Sequence, residues 1–193
     1  MEQIMILSGS NGAAASLEGF LKASFPYKVT TLPSAYQARS ALENDRHTEL
    51  VIIHGPLIDE NGADLACYVT QHTNSNCILI LGQEEAAQLT WLSERHQVIV
   101  LARPLDKQTL YRMVQTVDIV MQRARTIVEE NERLAQKLRD VRTIDRAKFL
   151  MMQYEGMTEA QAHAYLEKYA MDKRKRKPLA AMDIIDRINE RYL

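Results

Sequence analysis

An apolar run, TELVIIH, ends at His54, with Gly55 and Pro56 after it and no carboxylate before Asp59. A histidine where a buried strand meets a loop is placed for proton transfer or for accepting a phosphoryl group. Either role needs a neighbour that activates the ring, and the adjoining residues offer none. The loop SGSNG, residues 8–12, precedes a helix. Such a turn can hold an anion or can simply join a strand to a helix. The run KRKRK, residues 173–177, is five consecutive cations. Cations at that density can neutralise several phosphates, with strongly salt-dependent binding to nucleic acid, and exceed what favourable charge at a helix end requires. Arg146, Lys148 and Lys168 extend the same patch. Cys67 and Cys77 make no CxxC and no Cys/His cluster, so neither a metal nor a cofactor is expected. No nucleophile–base–acid set stands out, which argues against an enzyme.

The elements that must carry these residues alternate over the first 115 positions. QIMIL (3–7), YKVTTL (27–32), ELVIIH (49–54), CILILG (77–82) and QVIVLA (97–102) read as strands. Between them lie helical stretches at 13–24, 34–45, 63–72 and 84–95, and another opens at Asp106. Ser34 is placed as an N-cap with Gln37 three residues on. Unbroken apolar strands are those of a parallel sheet buried on both faces, so residues 1–115 predict a doubly wound α/β domain.

From residue 116 to 144 the period changes. Val117, Val120, Ala124, Ile127, Asn131, Leu134, Leu138 and Val141 recur at alternating spacings of three and four. That is the a/d seam of a coiled coil, and Asn131 at an a position is the residue type that fixes register in a parallel dimer. A long helix continuing from the α/β domain and a homodimer through it are expected. Residues 145–193 predict three short helices. Gly156 closes the first, Thr158 and Gln161 form a capping box for the second, and Pro178 falls in the first turn of the third. Tyr154, Tyr165 and Tyr169 fall at core spacing, although loop bases of RNA can stack on such rings.

Charge follows these divisions. Residues 1–115 hold 8 Lys/Arg against 12 Asp/Glu, whereas residues 145–193 hold 10 against 8. An acid at position 2 and a short apolar run do not make a signal peptide, and no stretch approaches the ~20 apolar residues of a membrane span. Two cysteines and no disulfide framework fit a reducing compartment, so a cytoplasmic location without membrane partners is expected.

The strand–helix order and the turn ARPLDKQTL make residues 1–115 resemble a response-regulator receiver domain of two-component systems, with its flavodoxin-like fold. The resemblance assigns positions to the family's chemistry. The acidic pair that would hold Mg²⁺ is replaced by SGS, with Ser8 and Ser10 at its ends. The phosphoacceptor aspartate is His54, the hydroxyl residue is Gly82, and the lysine is Arg103, followed by Pro104. Mg²⁺ needs oxygen ligands, and arginine does not stand in neutrally for lysine. The resemblance therefore implies a pseudo-receiver that does not take phosphate by the Asp/Mg²⁺ route and serves a regulatory protein or small ligand instead.

The stretch over about residues 140–188 resembles the ANTAR domain of transcription antiterminators, through Ala147, Lys148, Leu150, Met151, Gly156, the turn MTEAQA, Leu166, Ala170, Met171 and Arg174. The resemblance implies binding to paired stem-loops in mRNA leaders, with Arg146, Lys148, Lys168, Lys173, Arg174, Lys175, Arg176 and Lys177 as RNA contacts. Dimerisation falls to Val117, Ala124, Ile127, Asn131, Leu134, Leu138 and Val141. The competing readings are a DNA-binding regulator, since three helices are compatible with helix-turn-helix geometry, and a partner-binding module that touches no nucleic acid.

Overall fold

The computed structural model describes residues 1–45 and 47–192, in two compact units, 1–123 and 124–193. In the first, β1 (Gln3–Ser8), β2 (Lys28–Leu32), β3 (Thr48–His54), β4 (Asn76–Leu81) and β5 (Ile99–Ala102) form one parallel sheet of order β2-β1-β3-β4-β5. Helices α1 (Asn11–Ser24), α2 (Ala35–Asn44), α3 (Ala63–His72), α4 (Gln83–Gln88), α5 (Thr90–His96) and the start of α6 (Lys107–Glu155) connect and cover it.

Side chains alternate across the pleat and build two cores. Met5, Leu7, Val51, Ile53, Leu79 and Leu81 meet α2, α3 and α5 through residues such as Ala38, Leu65, Val69 and Leu92. Ile4, Ile6, Leu50, Ile52, Ile78 and Ile80 meet α1 and α6 through Leu21, Leu110 and Val114. The three inner strands are apolar without interruption because both their faces are covered; β2 and β5 at the edges are only half-buried. Residues 84–95 are two helices rather than the single one expected. The chain breaks at Leu89, whose backbone leaves the helical region and whose N–H bonds back to Glu85 and Ala86.

The second unit holds the rest of α6, α7 (Glu159–Asp172) and α8 (Lys177–Tyr192). Its core is Ala147, Met151, Ala162, Leu166, Ala181, Ile184 and Ile188, with further small residues between the helices. Thr158 and Gln161 form the expected capping box at the start of α7. Gly156 ends α6 at φ +67, a backbone that residues with a Cβ rarely adopt. Tyr154, Tyr165 and Tyr169 are half-buried against this core. Arg187 donates to the Tyr165 hydroxyl at 2.7 Å and to Glu155 at 2.9 Å, tying α8 to α7 and to the end of α6.

The heptad seam divides between the units. Val117 is only 6% exposed, packed in the core that α6 shares with the sheet, so it is not free to face a partner helix. That corrects its place in the seam: the first turns of α6, which close the α/β core, carry the same spacing as the coiled coil and use it for another contact. Beyond it, Ile127, Leu134 and Leu138 are 61%, 51% and 53% exposed, and Ala124, Asn131 and Val141 are exposed too.

Candidate functional site

Ser8 and His54 are register partners at the carboxyl ends of β1 and β3. The connections leave β1 and β3 for opposite faces of the sheet at this point, the usual ligand position in open α/β folds. Ser8 is buried. Its hydroxyl donates to the Ser10 carbonyl at 3.3 Å, accepts from the Ser10 N–H at 3.2 Å and lies 3.4 Å from His54 Nδ1. Ser10 caps α1 by accepting from the Ala13 N–H, so the 8–12 loop is built as a strand-to-helix turn. Gly9 presses on the loop after β3: a Cβ there would stand 2.9 Å from the Pro56 carbonyl oxygen. A side chain at position 9 would therefore clash with the backbone of that loop.

The nearby carboxylates serve the scaffold. Asp59 accepts from the N–H groups of Ala35 and Tyr36 at 2.9 and 3.0 Å, capping α2 from a different loop, and these bonds hold its carboxyl below the ordinary value. Glu60 accepts from the Leu65 N–H and from Arg39. Asp106 caps α6 through the Thr109 N–H and hydroxyl. No group of three or more His, Cys, Asp or Glu is placed to hold a metal among the described residues. Gly82, at the N-cap of α4, brings no side chain, and its N–H donates to Glu85.

Arg103 reaches the same strand ends from β5. It is half-buried, and no carboxylate pairs with its guanidinium among the described residues. Burial, and secondarily the Arg103 charge, push the His54 imidazole below its ordinary pKa and favour the neutral ring.

The basic run is organised differently from a continuous helix. The end of α7 falls inside it: Arg174 adopts φ +53, its N–H bonds to the Met171 carbonyl and that of Lys175 to Ala170. This closing motif turns the chain, so residues 173–176 form the link between α7 and α8. Lys175 pairs with Asp183 and Lys177 with Glu167, each at 2.5 Å, clamping the link. Lys148 is likewise engaged, by Asp145 at 3.0 Å and Glu159 at 3.4 Å, which raise its pKa. Arg146, Lys168, Lys173, Arg174 and Arg176 are exposed and have no acid partner among the described residues. Lys173 lies over the Tyr169 ring, 5.9 Å from its centroid. Asp145 is three residues from Lys148 and within reach of sequence spacing, but Glu159, Asp183 and Glu167 lie 8 to 11 residues from the lysines they hold.

Residues 132–185 match the family model of the ANTAR domain. No curated protein sequence matches the chain. Among solved structures, a signal receiver domain of an HD domain-containing protein from Pseudomonas fluorescens Pf-5 shares 20% identity, with 65% of this chain and 92% of that one aligned at a TM-score of 0.58. A response regulator receiver domain protein from Clostridium thermocellum shares 16%, over 66% and 99% of the two chains, at 0.56. A two-component response regulator from Clostridium difficile shares 18%, over 63% and 98%, at 0.55. At such identities the likeness is one of fold. The N-terminal unit thus has the receiver fold, and an ANTAR domain follows it. ANTAR domains belong to RNA-binding antitermination regulators. No helix among the described residues is long and apolar enough to cross a membrane.

Proposed function

We propose that this chain, a receiver fold joined to an ANTAR domain, binds paired stem-loops in mRNA leaders and lets transcription pass a terminator. The observation that carries this is the ANTAR match at residues 132–185 together with cations left unpaired on that unit. Lys173, Arg174 and Arg176 sit on one short link, and Arg146 and Lys168 on α6 and α7 of the same unit. Five such charges reach several phosphates at once. Lys148, Lys175 and Lys177 hold the scaffold through their acids and reach RNA only by leaving them.

Two stem-loops call for two binding units. The exposed seam from Ala124 through Asn131 to Val141 supports a parallel homodimer, in which the second unit binds at high effective concentration. The receiver fold works in this reading as a pseudo-receiver. Ser8, Ser10, His54 and Gly82 supply no acid, and the adjacent carboxylates are committed to helix caps. Its input is a ligand or a protein partner, and the chain acts in the cytoplasm, where nascent transcripts are.

Fluorescence anisotropy with the full chain tests the reading, using a paired-hairpin RNA and a DNA duplex of equal charge at low and moderate salt. Tight binding of the RNA alone supports it. Equal binding of the two favours a DNA-type or nonspecific basic surface, and no binding of either favours a partner-binding module.

A further inference from the structure

A cavity of about 580 Å³ opens beside the His54 position, between α1, the end of β4 and the start of α6. Leu17, Phe20, Ile80 and Leu110 give it apolar walls. His54 and Arg103 close its inner end, and they also line a smaller hollow of about 270 Å³ on their other side, under the loop after β3. Lys107 and Asp106 stand at its rim.

This space has the size and make-up of a small-molecule site: mostly apolar walls with a few polar groups converging at one end. Its polar end is net positive, with Arg103 and Lys107 against the Asp106 carboxylate. Asp106 is engaged by the Thr109 N–H and hydroxyl, at 2.8 and 2.6 Å. Arg103 is half-buried without a carboxylate partner, and Lys107 adds a second cation. A cation removed partly from water without an acid beside it is a standing cost that an anionic ligand would offset. We propose that this cavity is a binding site for a small amphipathic monoanion, a carboxylate on an apolar body, with the carboxylate on Arg103 and the body between Phe20 and Leu110.

The strand ends favour a carboxylate ligand over Mg²⁺ with phosphate. The site keeps the cation of its fifth-strand turn and has no acid at Ser8, Ser10 or His54 to hold a metal. A neutral His54 offers a hydrogen-bond donor or acceptor to the ligand without adding charge. Leu110 belongs to α6, the helix that continues to Glu155, so occupancy touches the element that carries the seam residues. The inference concerns the first unit alone and stands whether or not the tail binds RNA.

The test is a titration of the full chain with 4-phenylbutyrate and, separately, with its neutral amide, followed by NMR of the Ile80 methyl and the His54 ring. The carboxylate is expected to shift both signals saturably. The amide should bind at least about ten-fold more weakly, as for the loss of one charge-assisted hydrogen bond. Arg103→Gln should erase that preference, and Leu17→Trp, which fills the cavity from α1, should abolish both titrations. Equal affinity for acid and amide, a preference unchanged in Arg103→Gln, or no saturable shift with either compound would overturn the assignment. A titration by inorganic phosphate that matches the carboxylate would overturn its apolar half.

Discussion

The two units of this chain handle charge in opposite ways. In the receiver fold the carboxylates around the strand ends are turned to structure: Asp59 caps α2, Glu60 holds Arg39 and the Leu65 N–H, and Asp106 caps α6. What remains at the strand ends among the described residues is the Arg103 guanidinium, without a carboxylate partner, beside an imidazole whose pKa burial lowers. In the ANTAR unit acids clamp Lys148, Lys175 and Lys177, and the cations beside them stay in water. Thus the first unit keeps a half-buried, enclosed cation suited to a single small anion. The second keeps a spread of exposed cations suited to a polyanion.

Several perturbations should break this contrast. Replacing Leu134 and Leu138 together by lysine should have the largest effect, since it puts four charges into a dimer seam. Sedimentation should show a monomer, and affinity for paired hairpins should fall by about 10² or more as effective concentration is lost. A monomer that binds as tightly as the native chain would remove the seam from the account. Next, Lys173→Ala, Arg174→Ala and Arg176→Ala combined should weaken RNA binding and flatten its salt dependence by about two to three units of slope. Lys175→Ala with Lys177→Ala should instead lower thermal stability and leave that slope nearly unchanged.

Arg174→Gly sharpens the contrast at one residue. Glycine relieves the positive φ and should stabilise the second unit by about 1 kcal/mol, while RNA affinity drops for want of the guanidinium. Calorimetry and a binding titration on the same preparation separate the two effects. In the first unit, His54 resists protonation when folded and takes a proton normally when unfolded. Its contribution to stability is therefore absent above its unfolded pKa of about 6.5 and turns unfavourable as pH falls below it. Denaturation between about pH 7 and pH 5.5 should cost the native chain more than His54→Asn, and parallel curves would contradict the assigned environment. Smallest of all, His54→Asp should take up no phosphate from acetyl phosphate with Mg²⁺, because Ser8 and Ser10 leave the metal without acids.

Much of this was legible in the sequence. Apolar runs without polar breaks gave the parallel sheet, Ser34 and Thr158 marked helix starts, and Gly156 marked a helix end, because each acts through its nearest neighbours. What acts across the chain was not legible. The spacing of Val117 is continuous with Val120 and Ala124, and only packing against the sheet assigns it to the core. The Leu89 break has no glycine or proline to announce it. Nothing local says that Asp59 caps a helix more than twenty residues upstream, or that Lys177 faces Glu167 while Arg176 faces water. The cavity beside His54 depends on four separate elements and has no sequence signature.

The central claim, that the ANTAR unit acts on structured RNA, is most directly tested by ultraviolet crosslinking of the full chain to RNA in the cells that make it, followed by sequencing. Crosslinks should concentrate at paired stem-loops ahead of terminators and be lost when Lys173, Arg174 and Arg176 are alanine. Crosslinks scattered without such structures, or unchanged in that variant, would contradict it.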